Sequence, residues 1–113
     1  MGKVEKYKTI VKAIIGEISH IRTKQRFDLK TQIILDDEHG HYLMYKNGWC
    51  GERRIYGCFL HLDIDENGKV WVNHDGTDLL VAQMLQDKGI PKKDIVLGFH
   101  APIMRQDTDF AVA

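Results

Sequence analysis

The sequence has little of what would mark a membrane, secreted or strongly charged protein. Its apolar stretches are short, Ile33 to Leu35 and Leu79 to Ala82 among them, against the roughly 20 apolar residues a membrane-spanning helix needs. No segment is expected to cross a bilayer. After the charged start at Lys3, Glu5 and Lys6 the apolar residues recur periodically instead of forming a signal-peptide core, and the expected location is cytoplasmic. The two cysteines, Cys50 and Cys58, form no CxxC arrangement; in a reducing compartment both are expected as thiols. With two prolines in 113 residues there is no Pro-rich linker, and no repeat or low-complexity tract divides the chain. A chain of this length buries roughly two thirds of its unfolded surface, so residues 1–113 are expected to form a single domain that needs no disulfide or structural metal.

Net charge is missing too: the formal balance is zero, which removes the non-specific pull on nucleic acid that a basic protein has. Within that balance, residues 1–30 carry an excess of five positive charges and the remainder an equal negative excess. A solvated helix face accounts for this count. The residues available to a nucleic acid would be Lys3, Lys6, Arg22, Lys24, Arg26 and Lys30. No helix-turn-helix, zinc-finger or RNA-binding pattern accompanies them, so DNA contact is expected to be indirect or weak.

The elements follow from periodicity. Val4, Tyr7, Val11, Ile14, Ile18 and Ile21 recur at spacings of three and four, broadened by Ile10 and Ile15, which predicts a long amphipathic helix. Its β-branched content makes it dependent on docking. Thr31–Leu35 and His41–Lys46 read as strands joined by a turn at Asp36–Gly40, and Asn47–Arg53, with Gly48 and Gly51, reads as a loop. Arg54–Asp65 alternates, placing Tyr56, Cys58, Leu60, Leu62 and Ile64 on one face and Ile55, Gly57, Phe59, His61 and Asp63 on the other. At Glu66-Asn67-Gly68 a three-residue loop with Gly68 left-handed sets Val70 against Ile64 and Val72 against Leu62, keeping apolar residues together. That register puts Trp71 beside Asp63 and His74 opposite Leu60.

Asp75-Gly76-Thr77-Asp78 reads as a helix start, with Asp75 as cap and both carboxylates near the positive end of the dipole. The helix is expected through Leu79, Leu80, Val81, Met84 and Leu85 to a left-handed stop at Gly89, before Ile90 and Pro91. A short connector, a final strand at Ile95–Phe99 and an apolar C-terminus that docks complete the chain. The fold class is α+β: an antiparallel sheet of about five strands, a long N-terminal helix and a second helix after the central hairpin.

Catalytic and ligand-binding patterns are weak. His61 and Asp63 share a strand face, with Asn73 or His74 across the hairpin, but the register above turns His74 away, so no metal site is expected. Cys50 lies near Arg53 and Arg54 without a linked histidine, and Cys58 reads as a small core residue. No glycine cluster forms a phosphate loop, and Asp36 and Asp37 are explained by their turn. No catalytic residue and no cofactor are therefore assigned. Trp49, Arg53, Arg54 and Trp71 form the candidate partner surface, since interfaces favour such aromatic residues and arginines; coverage of the tryptophans within the chain is the competing reading.

Several ordered motifs resemble one family over nearly the whole chain: Gly48-Trp49, Arg54-Ile55-Tyr56-Gly57-Cys58, His61-Leu62-Asp63-Ile64, Gly68-Lys69-Val70-Trp71-Val72, His74-Asp75-Gly76-Thr77, Asp94-Ile95-Val96-Leu97-Gly98-Phe99-His100 and Phe110-Ala111-Val112-Ala113. Together they are similar to the XisI-like family, named for an fdxN-element excision controlling factor of cyanobacteria. Ala101 before Pro102 and Cys50 in its loop depart from the family pattern. The resemblance implies a non-enzymatic accessory role in excising a DNA element, alongside a site-specific recombinase and a companion protein of the XisH type, with self-association as a further expectation. It also leaves open a two-protein defence or toxin-antitoxin-like pair in which this chain restrains its partner.

Overall fold

The computed structural model describes residues 2–22, 28–77 and 79–113. Helix α1 spans Lys3–Arg22, followed by strands β1 (Asp28–Asp36), β2 (His41–Cys50), β3 (Arg53–Ile64) and β4 (Val70–Asp75), helix α2 (Val81–Asp87), a 3-10 turn at Lys92–Asp94, strand β5 (Ile95–Leu97) and a short helix α3 (Pro102–Arg105). The five strands lie in sequence order in one sheet. No helix among the described residues is long and apolar enough to cross a membrane.

One face of the sheet is covered by α1 and α2; the other is open over β1–β3, while Val96 is buried and Trp71 is covered by Arg105 at its β4–β5 end. From α1, Tyr7, Val11, Ile14, Ile15 and Ile18 are buried against Tyr42, Met44, Leu60, Leu62, Ile64, Val70 and Val72 of the sheet, and Val81, Leu85, Ile90 and Ile95 close the same core. The predicted stripe thus docks as a unit, except that Ile21 at its end remains exposed. Tyr7 also donates its phenolic hydrogen to the buried carboxylate of Asp94, which ties α1 to the 3-10 turn before β5.

The β3–β4 hairpin has the expected register, Ile64 opposite Val70, Leu62 opposite Val72 and Asp63 opposite Trp71, with Gly68 at φ 79°. Asp65 holds the turn by accepting from the amides of Asn67 and Lys69. Beyond Leu62 the register slips, and His74 lies opposite His61 instead of Leu60. At the β1–β2 turn, Gly40 has φ 74° and a Cβ there would sit 2.3 Å from the carbonyl oxygen of Ile64, so this close approach requires glycine.

Four further expectations need correction. Asn47–Cys50 is strand, not loop: β2 runs on to Cys50, and Gly51 and Glu52 alone join it to β3. The periodicity is weak there because this half of the hairpin buries no large side chain on either face. Second, a bulge sets Tyr45 against Cys58 and Met44 against Leu60, leaving Phe59 as the extra residue. The extra residue reverses the alternation, so Tyr56 and Cys58 leave the core face and Cys58 is half-buried, not a core residue. Third, α2 begins at Val81, with Leu79 and Leu80 outside it and Leu80 left-handed at φ 53°. Asp75 still serves the helix start, accepting from the amides of Thr77 and Val81 and from the Thr77 hydroxyl; Asp78 lies outside the described residues. Fourth, β5 pairs with β4 in parallel, because the intervening helix carries the chain back to the start of β4 before β5 begins. The C-terminus docks as expected, with Ala111 bridging to Val96 and its amide bonded to the Ile95 carbonyl.

Candidate partner-binding face

The open face of the sheet carries the residues with no role in the core. Pairing fixes which residues share it: Asp36, His41 and Asp63 form one row with Trp71, Ile34 and Leu43 pair in the next, and Trp49 stands opposite Arg54 at the far end. The Arg54 guanidinium lies 5.5 Å from the Trp49 ring and 5.1 Å from the Tyr56 ring, and its Nη1 donates to the Gly48 carbonyl at 3.0 Å. Tyr45 continues the group, its ring 6.0 Å from that of Tyr56. Trp49 and Tyr56 remain 46% and 64% exposed. The result is an arginine pre-ordered between two aromatic faces, a composition found at interface hot spots.

Of the four residues assigned to a partner surface, the structure brings together Trp49 and Arg54. Arg53 is exposed at the hairpin end, but alternation puts it on the opposite face from Arg54. Trp71 is covered within the chain: the Arg105 guanidinium lies 5.1 Å over its ring, and its indole N–H donates to Asp65 at 2.9 Å. Tyr45 and Tyr56 were missed. Their signal was the β2–β3 alternation, and the bulge at Phe59 concealed it.

The basic residues do not gather among the described positions. Lys3 reaches Asp94 at 3.5 Å and Lys6 is exposed near the start of α1, whereas Lys30 is exposed on β1, on the far side of the sheet from that helix. Lys8 and Lys12 are engaged by the β1–β2 turn, with the Asp37 carbonyl and carboxylate respectively. Lys24, Arg26 and the side chain of Arg22 lie outside the described residues.

The titratable groups raised by the sequence have structural partners. Hydrogen bonding by the His39 amide and ring holds the Asp36 carboxyl below its ordinary value, and hydrogen bonds from Lys12 and Tyr42 do the same for Asp37. Burial pushes the Cys58 thiol up, which keeps it protonated, and its sulfur lies 3.2 Å from the Leu60 carbonyl. Asp63 is the centre of a cluster, but not the expected one. His41, not His74, joins His61 there, with His41 Nδ1 2.7 Å and His61 Nε2 2.9 Å from Asp63 Oδ1, while Asn73 donates to Oδ2 at 2.7 Å. The hydrogen bond to Asp63 raises the His41 pKa above its ordinary value. Among the described residues these three form the cluster able to hold a metal ion.

Comparison with known proteins places this geometry. The XisI protein family matches residues 1–112, while no curated protein matches the chain. A crystal structure of a XisI-like protein from Anabaena variabilis ATCC 29413 is 40% identical, superposes with a TM-score of 0.89, and covers 97% of this chain and 99% of its own. The fdxN element excision controlling factor XisI from the same organism is 33% identical, with a TM-score of 0.86 over 99% of this chain and all of the other. A family match across nearly every residue, with two solved relatives sharing the whole fold, shows that the chain belongs to the XisI family.

Proposed function

We propose that this chain is a non-enzymatic factor controlling excision of a DNA element in the cytoplasm, and that it acts by docking a companion protein of the XisH type. The observation that carries the reading is the full-length likeness to an fdxN element excision controlling factor, at 33% identity. The docking surface is the open sheet face around Trp49, Arg54 and Tyr56, where an ordered guanidinium and two exposed aromatic rings offer contact area at little further entropic cost. A non-enzymatic role is supported by the engagement of Asp36, Asp37 and Asp75 in turns and caps and by the burial-raised thiol of Cys58. Self-association belongs to the same proposal, through the unpaired edge of β1.

The test is co-purification from native cells of a companion protein of the XisH type with this chain, followed by affinity measurement. Trp49→Ala and Arg54→Ala are expected to weaken binding about 30-fold or more, the scale of an interface hot spot, and to lower excision of the element in cells. Recovery of the chain alone would remove the companion from the proposal. Full affinity in both variants would move the interface to another face. Growth arrest by the partner when this chain is absent would favour the toxin-antitoxin-like reading.

A further inference from the structure

We propose that His41, His61 and Asp63 form a binding site for a divalent transition-metal ion, with zinc as the best-fitting ion, on the open face of the sheet. The site is independent of the partner reading. Its donors come from two paired strands: His41 stands directly opposite Asp63, and His61 precedes Asp63 by two residues on the same face. Backbone pairing therefore fixes all three Cα positions, and only side-chain rotation remains to be set.

The geometry is close to what an ion requires. The three donor atoms lie within 4.8 Å of one another, and the two imidazole nitrogens already converge on one carboxylate oxygen at 2.7 and 2.9 Å. Tetrahedral zinc with ligand bonds of about 2.0–2.2 Å holds its donors roughly 3.3–3.5 Å apart. Widening the two nitrogen–oxygen separations by about half an ångström, with side-chain rotation bringing the two imidazole nitrogens to the same spacing, admits the ion, which takes the place of the protons now shared with Asp63. Those protons leave to solvent, so the step needs no other reactant.

The surroundings orient the donors. Asn73, on the neighbouring strand, donates to Asp63 Oδ2 at 2.7 Å and leaves Oδ1 turned toward the imidazoles, the kind of outer partner that fixes a ligating carboxylate. The His39 ring stacks against that of His41 with centroids 6.4 Å apart, and His39 is itself held by Asp36 at 2.9 Å. Two imidazoles and one carboxylate favour zinc, nickel, copper or cobalt over magnesium and calcium, which prefer oxygen. Three protein ligands and a half-exposed His41 leave a coordination position to water.

The experiment titrates untagged, chelator-treated full-length chain with zinc chloride by calorimetry and with cobalt chloride by visible absorption. One equivalent is expected per chain, with a tetrahedral cobalt spectrum. His61→Ala and Asp63→Asn should each weaken binding about 100-fold, and Asn73→Ala about 10-fold, as outer-shell losses do. His74→Ala, which alters a histidine outside the cluster, should leave binding unchanged. Circular dichroism melting verifies that each variant is folded; Asp63→Asn preserves the side-chain shape should His61→Ala perturb the sheet. The proposal is overturned by no saturable binding, by wild-type affinity in folded His61→Ala or Asp63→Asn, or by equal loss in His74→Ala, which would indicate scattered surface histidines.

Discussion

The Tyr7–Asp94 pair shows how one side chain couples distant parts of the chain. The carboxylate of Asp94 is almost fully buried and accepts from Tyr7 and Lys3, so its partners are what make its burial tolerable. Tyr7→Phe keeps the ring and removes the hydrogen bond; the expected loss is about 1–3 kcal/mol in urea unfolding, the cost of leaving a buried acceptor short of a partner. The same pair sets an alkaline limit. Burial, and then the bond to Asp94, push the Tyr7 pKa up to about 12, above an unfolded value of about 10. The stability it carries is complete below pH 10 and is lost as pH rises through 12, because the unfolded chain ionises first. Tyr42 is raised in the same direction by burial and by Asp37. A tyrosinate absorbance titration should show a late phase that coincides with unfolding, reduced in Tyr7→Phe.

Among the elements, α2 and its entry depend most on a single residue. Seven residues are too few for independent helix stability, and the Leu80 preceding them is left-handed, a conformation disfavoured for a branched side chain. Asp75 offsets this by accepting three hydrogen bonds, from two amides and a hydroxyl. Asp75→Ala is expected to cost about 2 kcal/mol, at the upper end for a cap, and to raise hydrogen exchange selectively in Val81–Asp87. Loss spread evenly over the sheet would show that the contacts stabilise the fold globally and not this entry. The helix was readable because Gly89 and the apolar spacing mark its end. Its first residue was not, since a cap at Asp75 followed immediately by helix and a cap acting across an irregular turn present the same sequence.

At the scale of the whole molecule, the shape follows from a core that covers only part of its sheet. The principal extents are 43 × 33 × 24 Å and the radius of gyration of 14.7 Å exceeds the roughly 13 Å of a compact domain near this size; the outer half of the β2–β3 hairpin buries no large side chain. Edge strand β1 leaves Ile33, Ile34 and Leu35 40–47% exposed with one side unpaired, an arrangement that favours pairing with another chain. Under the proposed self-association through this edge, Ile34→Lys is expected to lower the mass read by light scattering relative to the native chain while leaving the melting temperature within a few degrees; a monomeric native chain would exclude self-association, and an unchanged oligomer mass would exclude this edge.

Read from local pattern alone, the chain determined its helix and strand types, the apolar stripe of α1, the Ile64–Val70 register and the stop at Gly89, because each rests on spacing or on one residue's backbone freedom. Family membership was legible too, since its ordered motifs are properties of sequence. Tertiary structure decided the rest. The bulge at Phe59 brought Tyr56 to the open face beside Arg54, and the β2–β3 pairing carried His41 to Asp63, 22 positions away. Neither leaves a local trace: a bulge is a choice between registers, and a cross-strand cluster exists only once the strands have paired.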